Sequence, residues 1–299
     1  MRFAALAVFL ISTLLSPLAT AAPEDDGELR IGGSTTLLPI VSAAASEFME
    51  KYGTWDKVNP KLPAKKIVIY LTGGGSGFGI QSIVQNVNHI GLVSRDLRDK
   101  EKELLGPHRA TLVGKDAVAF VTNKANPLAQ KNIVLSKSQL ASILSGEAKT
   151  YRDIDRTLPA SKIVVFVRDA GAGSAEVVQH MVMGEKQVSR DALQLPSQGA
   201  LLKKIESNKS AVAYISAGLV TGSNKLHPLP YEGVQPSANQ IVNGDYKLSR
   251  PLLLLVKEPH SVMVDHFVNY LLNEGQQKVV ESGYIPVKPV ARTASTRGK

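Results

Sequence analysis

The chain has 299 residues, a formal net charge of +9 and no cysteine. Hydrophobic residues make up 43% of it, which is enough for the core of one large domain or two smaller ones. The lack of cysteine excludes disulfides, thiolate metal ligands and cysteine nucleophiles. Basic residues are scattered and aromatic residues are only 5% of the chain, so a nucleic-acid surface is not expected. The positive net charge instead favours the attraction of small anions.

Residues 1–21 have the pattern of a secretory signal peptide. Arg2 is followed by an apolar run from Phe3 to Leu15 and then by an Ala-x-Ala cleavage site that ends at Ala21. The alternative is a membrane anchor, but the run is shorter than the roughly 20 apolar residues that a spanning helix needs. We therefore expect cleavage after Ala21 and a periplasmic mature protein. At the other end, residues 291–299 are polar and predict a flexible tail.

Seven short apolar runs have the length of buried strands. They are Leu29–Gly32, Lys66–Leu71, His89–Val93, Ala117–Thr122, Ile163–Val167, Val212–Ile215 and Leu252–Val256. Helical spacing of apolar residues appears from Val41 to Tyr52, after Pro39, and again from Ile80 to Val87. This alternation predicts an α/β fold with largely parallel sheets, in which ligands bind beyond the carboxyl ends of the strands.

Four short polar clusters follow predicted strands, where such ligands bind. They are Ser34-Thr35-Thr36, the glycine-rich Gly73–Gly77 with Ser76 at its centre, Ser94-Arg95, and Arg168–Ser174. A helix that begins on Ser, Thr or Gly presents unpaired N–H groups and the positive end of its dipole, so it binds an oxyanion with few cationic side chains. Three such helix starts and two arginines can enclose one tetrahedral anion.

The hydroxyl and glycine clusters each have a simpler alternative. The hydroxyls of Ser34–Thr36 can cap the following helix, and capping is compatible with anion binding because both use groups at the same helix end. The run Gly73–Gly79 can be a flexible turn, and it does not match the dinucleotide pattern because Ile80 follows it.

The two arginines differ in how much the sequence says about them. Arg95 can be a surface residue that pairs with Asp96 or Asp99. Arg168 follows an apolar strand, where a guanidinium is costly to bury without an anionic partner. Its planar fork suits a bidentate contact with phosphate.

Motifs at these positions resemble, in order and spacing, those of the phosphate-binding proteins of ABC transporters. The matching segments are Gly33–Pro39, the Gly-Ser-Gly loop, Ile90–Leu97, Lys115–Ala119, Arg168–Ser174, Val212–Ile215, Gly244–Leu252, Gly275–Gln276 and Gly283–Pro286. The resemblance covers the chain from about Leu29 to Pro286.

This resemblance implies an α/β, two-lobed periplasmic binding protein of type II with a two-stranded hinge. Lobe 1 would comprise residues 22–114 and 250–290, and lobe 2 residues 115–249, with crossings near Gly114–Ala117 and Tyr246–Leu252. The lobes would close over one inorganic phosphate, and the protein would deliver it to an inner-membrane ABC permease. We expect a monomer that is not an enzyme and needs neither cofactor nor metal.

The residues expected to bind phosphate follow from the matching motifs. They are Ser34, Thr35, Thr36, Gly75, Ser76, Ser94, Arg95, Asp116, Arg168, Ala172, Gly173 and Ser174. Where this chain has Ala172, the family usually has a serine. The missing hydroxyl should weaken phosphate binding by about 1 kcal/mol, which is the contribution of one neutral hydrogen bond.

The position of Ser94 bears on selectivity. Some members of the family have an aspartate there, which accepts the proton that phosphate keeps near neutral pH and repels sulfate. Asp116 is the first substitute acceptor and Asp96 the second. Asp116 can instead brace the hinge or neutralise an arginine.

Two other functions stay open on the sequence. The first is a hydrolase with Ser76 or Ser174 as nucleophile, although Phe78 breaks the Gly-x-Ser-x-Gly pattern and no histidine is near either serine in sequence. The six histidines also lack metal-ligand spacing. The second is a sensor or scavenger of another oxyanion or of a phosphorylated compound on the same fold.

Overall fold

The computed structural model describes residues 27–290, so the predicted signal peptide and C-terminal tail lie outside the described residues. The strands are β1 (Glu28–Gly33), β2 (Val68–Gly73), β3 (Ile90–Val93), β4 (His108–Asn123), β5 (Val164–Arg168), β6 (Leu193–Leu195), β7 (Ala211–Ser216), β8 (Leu226–Leu229), β9 (Ser249–Lys257) and β10 (Ile285–Pro286). No helix in residues 27–290 is long and apolar enough to cross a membrane.

The helices lie between these strands. They are α1 (Leu38–Tyr52), α2 (Trp55–Val58), α3 (Gly75–Val84), α4 (Asp99–Leu105), α5 (Pro127–Gln130), α6 (Lys137–Ser145), α7 (Gly173–Val178), α8 (Gln198–Ser207), α9 (Ala217–Thr221), α10 (Ala238–Val242), α11 (Val262–Leu272) and α12 (Gln276–Glu281). A 3₁₀ turn spans Tyr151–Asp153, and α7 continues into a π-helical turn at Gln179–Met183.

Each of the seven predicted strands is present, with shifted ends. The predicted strand Ala117–Thr122 is only the second part of β4, which begins nine residues earlier at His108. Both predicted helices are also present as α1 and α3. Val87 was wrongly placed on the second helix: α3 ends at Val84, Asn86 has a positive φ of 56°, and the side chain of Val87 is exposed.

The sheet is mixed rather than largely parallel, which corrects the prediction from the alternation of strands and helices. Its order is β2-β1-β3-β9-β4-β7-β5-β6, with β8 and β10 also paired to β4. The strands β1, β2 and β3 are parallel to one another, as are β5, β6 and β7. The antiparallel pairs all involve β4 or β9. These two strands run through the middle of the sheet in opposite directions and join its two parallel halves.

Large hydrophobic clusters lie on either side of this junction. One cluster consists of residues from Ala117 to Leu248 and fills the lobe built on β5, β6 and β7. The other large cluster combines residues from Leu29 to Val113 with residues from Leu252 to Tyr284, and fills the lobe built on β1, β2 and β3. We call the second of these lobe 1 and the first lobe 2. Burying each large apolar side chain stabilises a core by roughly 1.5–3 kcal/mol.

The chain passes between the lobes on two adjacent strand segments. In β4 and β9, Asp116 is opposite Arg250 and Ala117 is opposite Ser249, and the register shifts between Leu112 and Gly114. These segments overlap the crossings near Gly114–Ala117 and Tyr246–Leu252 that the resemblance implied. Their action as a hinge, and the lobe boundaries drawn above, stay predictions.

A buried cluster of hydroxyls and arginines between the lobes

Three polar clusters from lobe 1 meet at one buried point because they follow the carboxyl ends of neighbouring strands. Ser34 follows β1, Ser76 lies in the first turn of α3 after β2, and Ser94 follows β3. The Oγ of Ser34 donates a hydrogen bond of 2.9 Å to the Oγ of Ser94. The Oγ of Ser76 lies 3.2 Å from the Oγ of Ser94 and accepts a hydrogen bond of 3.0 Å from the backbone N–H of Ser94.

The hydroxyls after β1 do not cap α1. The helix has Leu37 at its N-cap position and no side-chain cap, and the backbone N–H of Thr36 donates to the Oγ of Ser34 at 3.2 Å. The Ser34 hydroxyl thus closes a local turn, while the hydroxyls of Thr35 and Thr36 are turned toward two arginines.

Arg168 brings lobe 2 to this cluster from the end of β5. Only 3% of the residue is exposed. Its Nη1 donates to the Oγ1 of Thr35 at 3.0 Å, and its Nε donates to the carbonyl oxygen of Leu195 at 3.0 Å. Its Nη2 donates to the Oδ1 of Asp169 at 2.8 Å and to the carbonyl oxygen of Pro196 at 3.1 Å. The guanidinium is thus fixed in orientation with one edge at a hydroxyl of lobe 1.

Arg250, at the start of β9, is the second buried arginine of the cluster. It was not among the residues that the sequence predicted. Its Nη2 donates to the Oγ1 of Thr36 at 3.1 Å, and its Nη1 donates to the Oγ of Ser94 at 3.3 Å. Its Nε and Nη2 also bond the Oδ2 of Asp116, at 3.1 and 2.7 Å. Since a buried guanidinium after or before an apolar strand needs a partner, the argument that selected Arg168 applies equally to Arg250.

Asp116 faces Arg250 across the crossing strands. The Oδ1 of Asp116 accepts a hydrogen bond of 2.8 Å from the Oγ of Ser216, another residue that the sequence did not suggest. Both carboxylate oxygens therefore have donors within the protein. These contacts favour the alternative in which Asp116 neutralises an arginine. Asp96, the second candidate acceptor, is exposed.

Two glycines allow the lobes to approach closely. Gly75 has a φ of +85°, and a Cβ there would lie 2.5 Å from the carbonyl oxygen of Gly171 in lobe 2. A Cβ on Gly173, at the start of α7, would lie 2.5 Å from the Oγ of Ser76 and 2.7 Å from the Oγ of Ser94. The polar loops of the two lobes are therefore in contact, and a side chain at either position has no room.

The start of α7 completes the cluster on the side of lobe 2. Ser174 and Ala172 are both buried. The Oγ of Ser174 accepts a hydrogen bond of 3.3 Å from the Nε2 of Gln198, whose Oε1 accepts from the backbone N–H of Ser216 at 3.1 Å. Gln198 gave no signal in the sequence, because it lies on α8 far from any polar motif. Ala172 supplies no hydroxyl, and α7 has no side-chain cap.

Arg95 lies beside Ser94 but points to carboxylates. Its Nη1 and Nη2 donate to the two oxygens of Glu101, each at 2.8 Å, and its Nε lies 2.5 Å from the Oε2 of Glu176. Neither Asp96 nor Asp99, the partners considered from the sequence, supplies a carboxylate to it, although the carbonyl oxygen of Asp96 accepts from its Nη1 at 2.9 Å.

The charges of the cluster suit an anion. Arg168 and Arg250 bring two buried positive charges, whereas Asp116 brings one fully buried negative charge and the side chain of Asp169 is 38% exposed. Burial raises the pKa of Tyr214 to about 12, so its phenol stays neutral while its oxygen accepts from the backbone N–H of Arg168. Residues 27–290 contain no group of His, Asp or Glu side chains that could hold a metal ion.

A cavity of about 1080 Å³ adjoins the cluster, and its lining includes Arg95, Arg168 and Arg250. The hydroxyl-bearing candidates Ser76 and Ser174 are not part of that lining. Their hydroxyls bond to serine and glutamine side chains, and in the described part of the chain no histidine is within hydrogen-bond distance of either. The contacts of a serine nucleophile with its base are thus not present.

Two α/β lobes joined by adjacent strands, with a buried cluster of hydroxyls and arginines between them, define a substrate-binding protein of the two-lobed class. The chain belongs to the PBP superfamily, since the model of the PBP superfamily domain matches residues 18–274. Its fold is that of a two-lobed binding protein, and the family is one of binding proteins rather than enzymes.

Relatives and solved structures carry more specific descriptions. Phosphate-binding protein PstS of Staphylococcus haemolyticus is 26% identical over 272 residues, covering 87% of this chain and 81% of the relative. A substrate-binding protein from Clostridium perfringens, solved with bound phosphate, is 26% identical with a TM-score of 0.73 and covers 87% of this chain and 100% of the other. An ABC-type phosphate transport receptor from Vibrio cholerae is 25% identical with a TM-score of 0.67, at 87% and 100% coverage.

Proposed function

We propose that this protein binds one inorganic phosphate between its lobes outside the cytoplasm and delivers it to an inner-membrane ABC permease. The observation that carries the proposal is the meeting of hydroxyls from three strand ends of lobe 1 with two buried arginines in one enclosed cluster. The phosphate-binding relatives support the choice of ligand. The predicted signal peptide supports the location.

The proposed ligand groups are hydroxyls that still have a hydrogen to donate. A hydroxyl that accepts a hydrogen bond keeps its own O–H for another acceptor. Thr35 and Thr36 each accept from an arginine, Ser76 accepts from the N–H of Ser94, and Ser174 accepts from Gln198. Each of these four hydroxyls therefore keeps a hydrogen that it can donate to an oxyanion.

The remaining members of the proposed site complete this set of donors. Ser34 and Ser94 orient the other hydroxyls, while Gly75, Ala172 and Gly173 allow backbone N–H groups at the starts of α3 and α7 to approach the ion. Arg168 supplies positive charge together with Arg250, which we add to the site. Asp116 contributes indirectly, because its carboxylate holds the guanidinium of Arg250 in place.

The proposal is tested with ligand-stripped mature protein. Calorimetry with phosphate should give one site per chain, and freshly purified protein should release about one phosphate when it is denatured. A chromogenic phosphate ester should not be turned over. The absence of any heat of binding, or steady hydrolysis of the ester, would contradict the proposal.

A second candidate function, binding of a different or less specific oxyanion, is favoured by Ser94. Without an aspartate there, selectivity for phosphate over sulfate needs another proton acceptor, and the two candidates are Asp116 and Asp96. If either accepts the proton, its replacement by Asn should narrow the difference between phosphate and sulfate affinity, because an amide can turn its NH₂ to either ion. Similar affinities for both ions in the unchanged protein would identify it as a general oxyanion binder.

A further inference from the structure

A group of four charged side chains connects the lobes beside the hydroxyl cluster. Arg95, Arg98 and Glu101 belong to lobe 1, and Glu176 lies on α7 of lobe 2. Glu176 forms ion pairs with both arginines, at 2.5 Å to the Nε of Arg95 and at short range to the Nη2 of Arg98. The side chains of Arg95 and Glu176 are 7% and 13% exposed.

We propose that Glu176 is a positioning residue that holds the two lobes closed and thereby sets the rate at which the bound ion leaves. In this role Arg95 is the partner of Glu176 and is not a ligand of the ion. The inference rests on the proposed function for its main readout, the release of phosphate.

The contacts of Arg95 account for this assignment. Its Nη1, Nη2 and Nε face the carboxylates of Glu101 and Glu176, so its charge is directed away from the hydroxyls around Ser94. Burial alone would raise the pKa of Glu101, but hydrogen bonds from the side chain of Arg95 and the backbone N–H of Arg98 outweigh burial and lower that pKa. The Glu101 carboxylate therefore stays ionised and keeps Arg95 oriented.

The position of each partner makes the contact dependent on closure. Arg95 and Glu101 are in the same lobe, so separation of the lobes leaves that pair intact. Glu176 is in the other lobe, so separation breaks its ion pairs with Arg95 and Arg98. Because the side chains of Arg95 and Glu176 are largely shielded from water, their attraction is screened less than that of surface pairs, whereas the side chain of Arg98 is exposed.

Glu176 is also linked to the ion site through α7. It lies two residues after Ser174, in the short helix that begins at Gly173, where a Cβ would lie 2.5 Å from the Oγ of Ser76 and 2.7 Å from the Oγ of Ser94. Movement of α7 away from lobe 1 therefore breaks the ion pairs of Glu176 and at the same time separates Gly173 from Ser76 and Ser94. Loss of the Glu176 charge should speed this movement without altering the groups that face the ion.

The first experiment measures phosphate association and dissociation rates by stopped flow for Glu176→Gln. We expect dissociation to become about tenfold faster with an unchanged association rate, because the ion pairs of Glu176 with Arg95 and Arg98 contribute to the closed state alone. The ratio of phosphate to sulfate affinity should not change. Glu147→Gln is the matched control, since it removes an exposed ion pair with Lys186 inside lobe 2 and should leave both rates unchanged.

The second experiment is a double-mutant cycle with Arg95→Met and Glu176→Gln. Because Arg98 still pairs with Glu176 in Arg95→Met, this variant should speed dissociation by a smaller factor than Glu176→Gln, and the double variant should release phosphate no faster than Glu176→Gln. A much larger loss of affinity in Arg95→Met, with additive effects in the double variant, would show that Arg95 binds the ion. Unchanged dissociation in Glu176→Gln would also overturn the proposal.

A third measurement does not depend on the ligand. The chain has no cysteine, so Arg98→Cys/Glu176→Cys gives a single pair that a short bis-maleimide can join within one chain. Efficient joining, with none in a control pair of Arg98→Cys and Glu147→Cys, supports the contact between the lobes even if phosphate does not bind. Failure to join in both the presence and the absence of phosphate would refute the contact, whereas failure of the unchanged protein to bind phosphate refutes only the proposed function.

Discussion

Removal of Arg250 should strongly destabilise the protein. The side chains of Arg250 and Asp116 are 1% and 0% exposed, and they share two hydrogen bonds at 2.7 and 3.1 Å. In Arg250→Met the Asp116 carboxylate stays buried with only Ser216 as a donor. Breaking a buried pair in this way costs about 3–5 kcal/mol, out of a total stability of about 5–15 kcal/mol.

This loss is measured by thermal and urea unfolding of the ligand-free protein. At about 2–4 °C per kcal/mol for a chain of this size, the melting temperature should fall by about 6–20 °C. The double variant Arg250→Met/Asp116→Leu should recover most of the stability, because replacing both charges with apolar groups is often neutral or stabilising. It should not recover phosphate binding, since Thr36 and Ser94 lose the same donor in both variants. A loss below about 1 kcal/mol in Arg250→Met, or no recovery in the double variant, would refute the coupling of these two residues.

Three further predictions concern the loops around the cluster. Arg168→Ala should weaken phosphate binding by roughly a hundredfold or more, since it removes charged hydrogen bonds to an enclosed ion, whereas calorimetry should show no change for the exposed Arg152→Ala; equal effects would contradict the site. Gly173→Ala should weaken binding by about tenfold or more because overpacking costs about 1–3 kcal/mol, while Gly199→Ala, with no atom within 4 Å of the new Cβ, should bind normally. Since the folded-state pKa of Glu101 lies below its ordinary value of 4.5, its contribution is present above that pH and is lost as the pH falls through the lowered pKa. The melting temperature of Glu101→Gln should therefore fall less on acidification than that of the unchanged protein. An equal fall in both proteins would contradict the pairing of Glu101 with Arg95.

The convergence of Ser34, Ser76 and Ser94 could be predicted from the sequence because each follows an apolar run of strand length. Parallel strands place their carboxyl ends at one edge of the sheet. Polar residues at those ends therefore come together regardless of the conformation of the turns that follow. The sheet as a whole was not predictable by the same logic. The length of β4 and the central position of β9 depend on pairing between segments more than 130 residues apart, as in the contact between Asp116 and Arg250.

Arg250 was missed because the predicted strand Leu252–Val256 began three residues too late. Pro251 separates the arginine from the apolar run, and a proline normally marks the edge of a strand. In the structure β9 begins at Ser249, so Arg250 lies inside the strand and opposite Asp116. The sequence signal that could have identified Arg250 was its position just before the apolar run Leu252–Val256.

Arg95 shows the opposite limit of sequence reasoning. Its position after Ser94 favoured an anion ligand, and nearby Asp96 and Asp99 offered the alternative. The carboxylates that hold it are Glu101, in the same lobe, and Glu176, in the other lobe. A partner that comes from the second lobe has no signal in the local sequence, because the packing of one lobe against the other determines which residues meet.

Thr35 and Thr36 connect ion binding to closure most directly. They are adjacent in the chain, yet Thr35 accepts from Arg168 of lobe 2 and Thr36 accepts from Arg250 at the crossing strands. Arg168 of lobe 2 thus orients the Thr35 hydroxyl, and Arg250 on β9 orients the Thr36 hydroxyl. When the lobes separate, Thr35 loses that orientation together with the positive charge of Arg168. Without lobe 2 the proposed site would lack both Arg168 and the Ser174 hydroxyl, so we expect tight phosphate binding to require both lobes.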